Sequence, residues 1–256
     1  MAHNSFELMR RTISQNLCAL TENTRQSFDV ILIIDGFDKV NLEPILPDIR
    51  RWGIDEVRLR SRTRNTATGD PSNNGHLRLF TERSTYLLTL EQDVAMFKID
   101  SDFDVLTAIR ELFERHTQLK LATRIDDHDC WCWKLKDVAP AFEDGVRSVN
   151  RVSSHFLAYH VPRFMHQVGG RIRDDIFYDG GNRWMNYEDY LSRTFAQPGG
   201  PGIAFAESWP IRVYHCDRKI HPESVFYTQD EIVQLSVFDE RKAYVESLEG
   251  NYNRPK

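Results

Sequence analysis

Cysteine is scarce in this chain: four in 256 residues, at Cys18, Cys130, Cys132 and Cys216. They show no paired spacing of the kind that builds a zinc site or a disulfide framework, so free thiols in a reducing compartment are the expectation. The single Cys-x-Cys at 130–132 is a weak metal signal. Long hydrophobic runs are also missing. Stretches such as Val30 to Ile34 are far too short to span a bilayer, so no transmembrane segment is expected. The opening residues Met1-Ala2-His3-Asn4-Ser5 lack the cationic and apolar regions of a secretory leader, and a cytoplasmic protein is expected. Nor is there an excess of positive charge: Lys and Arg total 33 against 38 Asp and Glu, a net charge of −5. No global field therefore draws in nucleic acid, and none is expected as a partner. The local basic stretch Arg58 to Arg64 either meets phosphates or is a solvated strand edge. Internal repeats and low-complexity segments are absent too.

What is present is ordinary globular composition, 41% hydrophobic and 28% charged, with strand-like and helix-like patterns in alternation. Phe6 to Thr21 reads as an amphipathic helix capped by Asn4 or Ser5. Phe28 to Ile34 reads as a buried strand ending at Asp35-Gly36. A short helix over 42–52 and a strand over 56–59 follow. Residues 65–75, rich in Thr, Asn, Gly and Asp, form a loop, and Leu77 to Ser84 looks helical. Tyr86 to Leu90 is a strand, Val105 to His116 an amphipathic helix, Leu119 to Ile125 a strand. Later come a strand over 153–160, a short helical patch after Pro162, and a helix from Tyr187 to Phe195. A Pro/Gly loop over 197–202 leads to strands at 203–208 and 211–214. The tail from about 229 to 249 is helical in pattern. Such alternation in the first half predicts an α/β fold with a mixed, mostly parallel sheet flanked by helices.

The segment Leu90-Glu91-Gln92-Asp93-Val94 carries the clearest chemistry. An apolar strand ends there in two carboxylates spaced i, i+2. On an extended backbone those side chains face one side. Two oxygen donors fixed at a strand end suit a hard divalent cation, and ligands of open α/β sheets sit outside the carboxyl ends of strands. The plainer alternative is a strand followed by an acidic turn. The acids Asp100, Asp102 and Asp104 lack the glycine and distal glutamate of a calcium loop, and read as a loop and helix cap.

Taken in order, Ile34-Asp35-Gly36, Asn74-Gly75-His76-Leu77-Arg78, Leu90-Glu91-Gln92-Asp93, Gly169-Gly170, Asn186-Tyr187-Glu188-Asp189 and Tyr214-His215 resemble the segments of GT-A fold glycosyltransferases, most of all the family 2 group. The likeness covers roughly residues 5–217. Three departures accompany it. The metal motif is Glu-x-Asp rather than Asp-x-Asp. The Asp35 turn lacks the usual second acid and serine. The chain also begins almost directly with its first helix, so the strand that normally precedes it is absent, squeezed into residues 1–4, or upstream.

The resemblance implies a GT-A-like, Rossmann-type catalytic domain over residues 1–220, with a nucleotide-binding half to about 125, an acceptor half over 126–220, and a helical extension over 221–256. It implies that Asp35 accepts a hydrogen bond from the nucleobase, or else is a turn residue bonded to its own backbone. Arg78 would face the donor diphosphate or brace the base, with Asn74-Gly75 allowing close backbone approach. Glu91 and Asp93 would hold Mn²⁺ or Mg²⁺, and His215 is a further candidate ligand that leans towards Mn²⁺. Asp189, with Glu188 as the alternative, would be the base that deprotonates the acceptor hydroxyl. Otherwise the pair is a helix N-terminal charge. Gly169-Gly170 would let backbone approach the sugar or acceptor, or form a plain turn. Trp131, Trp133 and above all Trp184 are candidate platforms for an acceptor sugar, against packing in the core.

Three functions follow from this reading. The first is an inverting, metal-dependent glycosyltransferase of the hexosyltransferase type, moving a sugar from a nucleotide sugar, UDP-sugar first, to a glycan, natural-product or protein acceptor. The second is a nucleotidyltransferase, whose usual Gly-rich basic loop after the first strand is not found here. The third is a catalytically inactive binding or scaffold protein that keeps the fold.

Overall fold

Helix α1 (Phe6–Thr21) buries a stripe at Thr12, Asn16, Ala19 and Leu20, the i, i+4, i+7, i+8 spacing of one helical face. This line passes to one side of Ile13 and Leu17, which are only half-buried. Two polar residues, Thr12 and Asn16, are therefore buried beside the stripe where the apolar periodicity predicts burial. Thr12 bonds back to the Met9 carbonyl at 3.1 Å, whereas the Asn16 amide is committed to a strand described below. The computed structural model describes residues 6–35, 43–60, 84–91, 94–124, 141–143, 146–148, 152, 155–169, 191–192, 194–195, 202–205 and 209–215. The expected cap of α1, the Leu77–Ser84 helix up to residue 83, and the helical tail lie outside those residues.

Strand β1 (Ile31–Asp35) pairs in parallel with β2 (Glu56–Arg60). Between them a 3₁₀ turn (Glu43–Ile45) runs into α2 (Leu46–Arg51), with proline in the first turn of α2, where its missing N–H costs nothing. Asp48 of α2 accepts from the Arg10 Nε at 2.6 Å, and Arg10 also donates to the Pro44 carbonyl, which ties this turn to α1.

Strands β3 (Tyr86–Leu90), β5 (Leu121–Thr123), β6 (Ala141–Glu143), β7 (Val146–Ser148), β8 (Phe156–His160) and β9 (Ile203–Phe205) form a six-stranded sheet in the order β3-β8-β5-β9-β7-β6. A separate ribbon pairs β4 (Val94–Lys98) with β10 (Ile211–His215), antiparallel. The α/β class and the mixed sheet are as expected, but the parallel share is smaller. Among the described pairings only β1·β2 and β5·β9 are parallel. The chain inserts antiparallel β8 between β3 and β5, so these two run in one direction without touching.

Sequence periodicity leaves 94–98 unassigned, and here the structure adds a strand. Val94, Ala95, Met96 and Phe97 are all buried, so both faces of β4 are covered and no alternation shows. The β6–β7 hairpin was likewise not distinguishable by pattern.

Helix α3 (Val105–Arg115) buries Val105, Ile109, Leu112 and Phe113. Asp104 caps it, accepting from the Thr107 N–H at 3.0 Å and the Thr107 hydroxyl at 2.7 Å, as the cap reading expects. Together α1, α3 and the ribbon close a core that includes Met96, Leu112, Phe113, Phe156, Trp209 and Val213. Helix α4 (Val161–Gln167) follows β8 directly.

Candidate functional site

Strands β3, β5 and β9 share one direction, so their carboxyl ends meet at one edge of the sheet. Glu91 follows β3 there and is exposed. Arg124 follows β5 at the same edge. Its backbone N–H donates to Phe156, the residue opposite Leu90, and its guanidinium is buried with Nη2 donating to the Ile211 carbonyl at 3.3 Å. That bond ties the end of β5 to the start of β10.

The Val94 N–H donates to the Glu91 carbonyl at 3.1 Å, which draws the end of β3 to the start of β4. In the ribbon, Val94 is the Cα partner of His215. Directly opposed antiparallel residues lie about 4.5–5.5 Å apart at Cα. Two of the three expected metal ligands, Glu91 and His215, thus arrive at one end of the ribbon, from positions 124 residues apart. The third, Asp93, precedes Val94 in sequence and lies outside the described residues. Carboxylate and imidazole donors there are chemically suited to Mn²⁺, and to Mg²⁺ with the carboxylates alone. Among the described residues no three acidic, histidine or cysteine side chains converge.

Two of the acids at 100–104, Asp100 and Asp104, are otherwise engaged. Asp100 accepts from the Asp102 N–H at 2.9 Å. Beyond its bonds to Thr107, Asp104 takes the Thr24 hydroxyl at 3.0 Å and the Arg25 N–H at 3.1 Å. Partial burial pushes the Asp104 carboxyl up, but the bonds from Thr107, Arg25 and Thr24 outweigh it and hold the pKa below the ordinary value. This carboxylate is a structural clamp between α3 and the segment leading to β1.

Asp35 closes β1 with Arg60 as its Cα partner. Gly169 is exposed just past α4, at a φ of 75° that favours glycine, and an added Cβ would meet open space. In the described structure it stops a helix, with its N–H donating to the His166 carbonyl at 3.2 Å. Asn74, Arg78, Gly170, Trp184, Glu188 and Asp189 lie outside the described residues, as do Trp131 and Trp133.

The far end of β3 carries a different polar group. His160 is Tyr86's Cα partner, its ring meets Tyr86 and Phe113 edge-on, and its Nδ1 accepts from the Arg163 N–H at 3.3 Å as the cap of α4. Arg163 Nη1 donates to the carbonyls of Phe113, in the last turn of α3, and of His116 and Leu119 just beyond it. Burial first, and the Arg163 charge second, lower the His160 pKa.

Asn16 was not singled out by sequence reasoning, since a lone Asn in a helix reads as solvent-facing. It is buried, and its Oδ1 accepts from the Met96 N–H at 2.7 Å while its Nδ2 donates to the Val94 carbonyl at 2.8 Å. The signal available was its place on the same helical face as Ala19 and Leu20.

No family model matches the sequence. No curated protein matches it significantly. Among solved structures, residues 1–349 of TarS from S. aureus align with 80% of this chain at 13% identity and a TM-score of 0.47. This chain covers 57% of that TarS chain's length. An apo UDP-glucose pyrophosphorylase aligns with 91% of this chain and 87% of its own, at 13% identity and a TM-score of 0.50. The second likeness is one of fold alone: this chain has a mixed α/β fold like that of the pyrophosphorylase. No helix among the described residues is long and apolar enough to cross a membrane.

Proposed function

We propose that the chain is a metal-dependent glycosyltransferase that moves a sugar from a nucleotide sugar, a UDP-sugar first, to an acceptor hydroxyl with inversion. The observation that supports this best is the β4–β10 register, which sets His215 opposite Val94 and so beside the Glu91–Asp93 segment. In the proposed reaction Asp189, or Glu188, removes the acceptor's proton as its oxygen bonds to the sugar's anomeric carbon. The bond from that carbon to the diphosphate breaks, and its electron pair leaves with the phosphate oxygen. Glu91, Asp93 and His215 hold Mn²⁺ or Mg²⁺, which when bound neutralises the leaving diphosphate. Asp35, Asn74 and Arg78 bind the nucleotide. Gly169, Gly170 and Trp184 face the sugar and a glycan, natural-product or protein acceptor. The pairing of β3 with β8 and of β4 with β10 supports one catalytic domain over 1–220, since both ladders join the two halves, and 221–256 is taken as an extension. A cytoplasmic setting fits a nucleotide-sugar donor.

A second reading, nucleotidyl transfer, takes its support from the shared fold with UDP-glucose pyrophosphorylase. The two divide on product. Glycosyl transfer releases UDP, whereas nucleotidyl transfer consumes UTP and releases pyrophosphate. The donor site is tested by titrating UDP and GDP, with and without Mn²⁺, into the native chain and Asp93→Ala, following the thermal midpoint, and an assay for released UDP or pyrophosphate then separates the two readings. A ligand specific for the folded state raises that midpoint by mass action. Mn²⁺-dependent stabilisation by UDP that vanishes in Asp93→Ala is the expected result. No shift with either nucleotide removes the donor site and leaves the binding or scaffold role.

A further inference from the structure

Strand β4 has two edges. Successive residues of a strand aim their backbone polar groups at opposite edges. One edge is zipped to β10. On the other, among the described residues, no strand lies. There the Asn16 amide takes the Met96 N–H at 2.7 Å and donates to the Val94 carbonyl at 2.8 Å, and Gln15 Nε2 donates to the Met96 carbonyl at 3.1 Å. One side-chain amide thus stands in for the peptide unit of a neighbouring strand. A buried amide is tolerated only with partners for both its ends, and Asn16, 6% exposed, has them.

The place of this substitution matters more than its energy. Val94 follows Asp93 directly, its N–H is held by Glu91, and its carbonyl is held by Asn16. Any slide of β4 along α1, which β10 would follow through its ladder, moves Val94 and His215 relative to the Glu91 carbonyl. A displacement of about 1 Å is enough to spoil an electrostatic site. An apolar residue at position 16 would fill the same space without fixing the strand's position along its axis.

We propose that Asn16 is a positioning residue for the cation and diphosphate site formed by Glu91, Asp93 and His215. It acts through the backbone of Val94 and Met96 rather than by touching the ligand. This rests on the donor-site reading above.

The test measures the affinity of the native chain, Asn16→Asp and Asn16→Ala for UDP with Mn²⁺ by calorimetry, well below every melting midpoint. Asn16→Asp keeps the acceptor for Met96 but sets a carboxylate against the Val94 carbonyl. Arg163→Ala, which uncaps α3 at the far end of β3, is the control for lost stability alone. The expected result is affinity weaker by about tenfold or more in both Asn16 variants, the scale on which supporting shells act on a metal site, with Arg163→Ala within about twofold of the native chain. Native-like affinity in the Asn16 variants overturns the positioning role. So does an equal loss in Arg163→Ala. A native chain that binds no UDP with Mn²⁺ overturns the donor site and this role with it. Should neither Asn16 variant fold, amide exchange on the native chain decides. Coupling is reciprocal, so bound UDP and Mn²⁺ slow exchange of the Met96 N–H if Asn16 is linked to the site, and leave it unchanged if it is not.

Discussion

Val94 and His215 are Cα partners at the end of the antiparallel β4–β10 ladder. Nothing in the local sequence around either residue indicates that they meet. Their pairing brings the backbone of His215, from the far end of the described chain, beside the segment proposed to hold the cation. Imidazole nitrogen suits Mn²⁺ better than Mg²⁺. The expectation is that His215→Ala weakens Mn²⁺ binding in the presence of UDP by about tenfold while Mg²⁺ binding changes little. Manganese electron paramagnetic resonance, with Mg²⁺ competition, reads both affinities. An unchanged ratio between the ions would remove His215 from the ligand set.

Asp104 collects four hydrogen bonds, two from Thr107 and one each from Thr24 and Arg25. Removing a helix cap alone costs about 1–2 kcal/mol, and the lost tether adds to it. Asp104→Ala is therefore expected to lower the urea midpoint with an unchanged slope. The carboxyl's folded pKa is lowered, so its contribution is present above the unfolded carboxyl value and is lost as pH falls through the folded one. The stability gap between native chain and variant should accordingly narrow in acid. A gap constant from neutral pH down through the acid range would contradict the assignment.

The elements with strong local signals were legible in the sequence. The Tyr86–Leu90 strand has the bounds that its apolar run suggests, and α3 falls within one residue of its expected end. What escaped is what depends on partners far away. Strand β4 is buried on both faces, so its four apolar residues show neither a period of two nor one of 3.6. Asn16 looks like a surface residue until Val94 and Met96 are placed beside it. The insertion of β8 between β3 and β5 puts two antiparallel pairings into a sheet expected to be mostly parallel, and no pattern within β3 or β5 encodes its neighbour. For the site, Glu91 was legible as a carboxylate at a strand end. The meeting with His215 was expected only through the family resemblance and not from local pattern, because register is a long-range property.

His160 predicts a pH dependence of the opposite chemical type to Asp104 but the same sign. Its Nδ1 must stay unprotonated to accept the Arg163 N–H, and burial with the nearby Arg163 charge lowers its pKa. The unfolded chain then takes up a proton at a higher pH than the folded one. Stability is full above the ordinary imidazole value of 6.5 and falls as pH drops from there through the folded value. Asn at this position keeps a cap acceptor that does not titrate. His160→Asn should therefore flatten the fall in thermal midpoint between pH 7 and the folded pKa, while leaving α4 capped. Equal slopes for variant and native chain over that window would show that His160 does not carry the dependence.

Gly202 offers a test of packing where sheet and helix meet. It is buried before β9, and its carbonyl accepts from the N–H groups of Lys120 and Leu121, each at 3.0 Å. A Cβ placed there would collide with the Phe195 carbonyl oxygen, a backbone atom with no rotamer to escape by. Phe195 is itself held, since its ring stacks on Phe164 of α4 at 4.9 Å between centroids. Relief must come from shifting either the start of β9 or the helical residues around 195. Overpacking of this kind costs about 1–3 kcal/mol. Gly202→Ala should lower the unfolding free energy by that amount, and Phe195→Ala should not restore it, because the colliding oxygen belongs to the main chain. Recovery of stability in the double variant would place the clash at the Phe195 ring and not at its carbonyl.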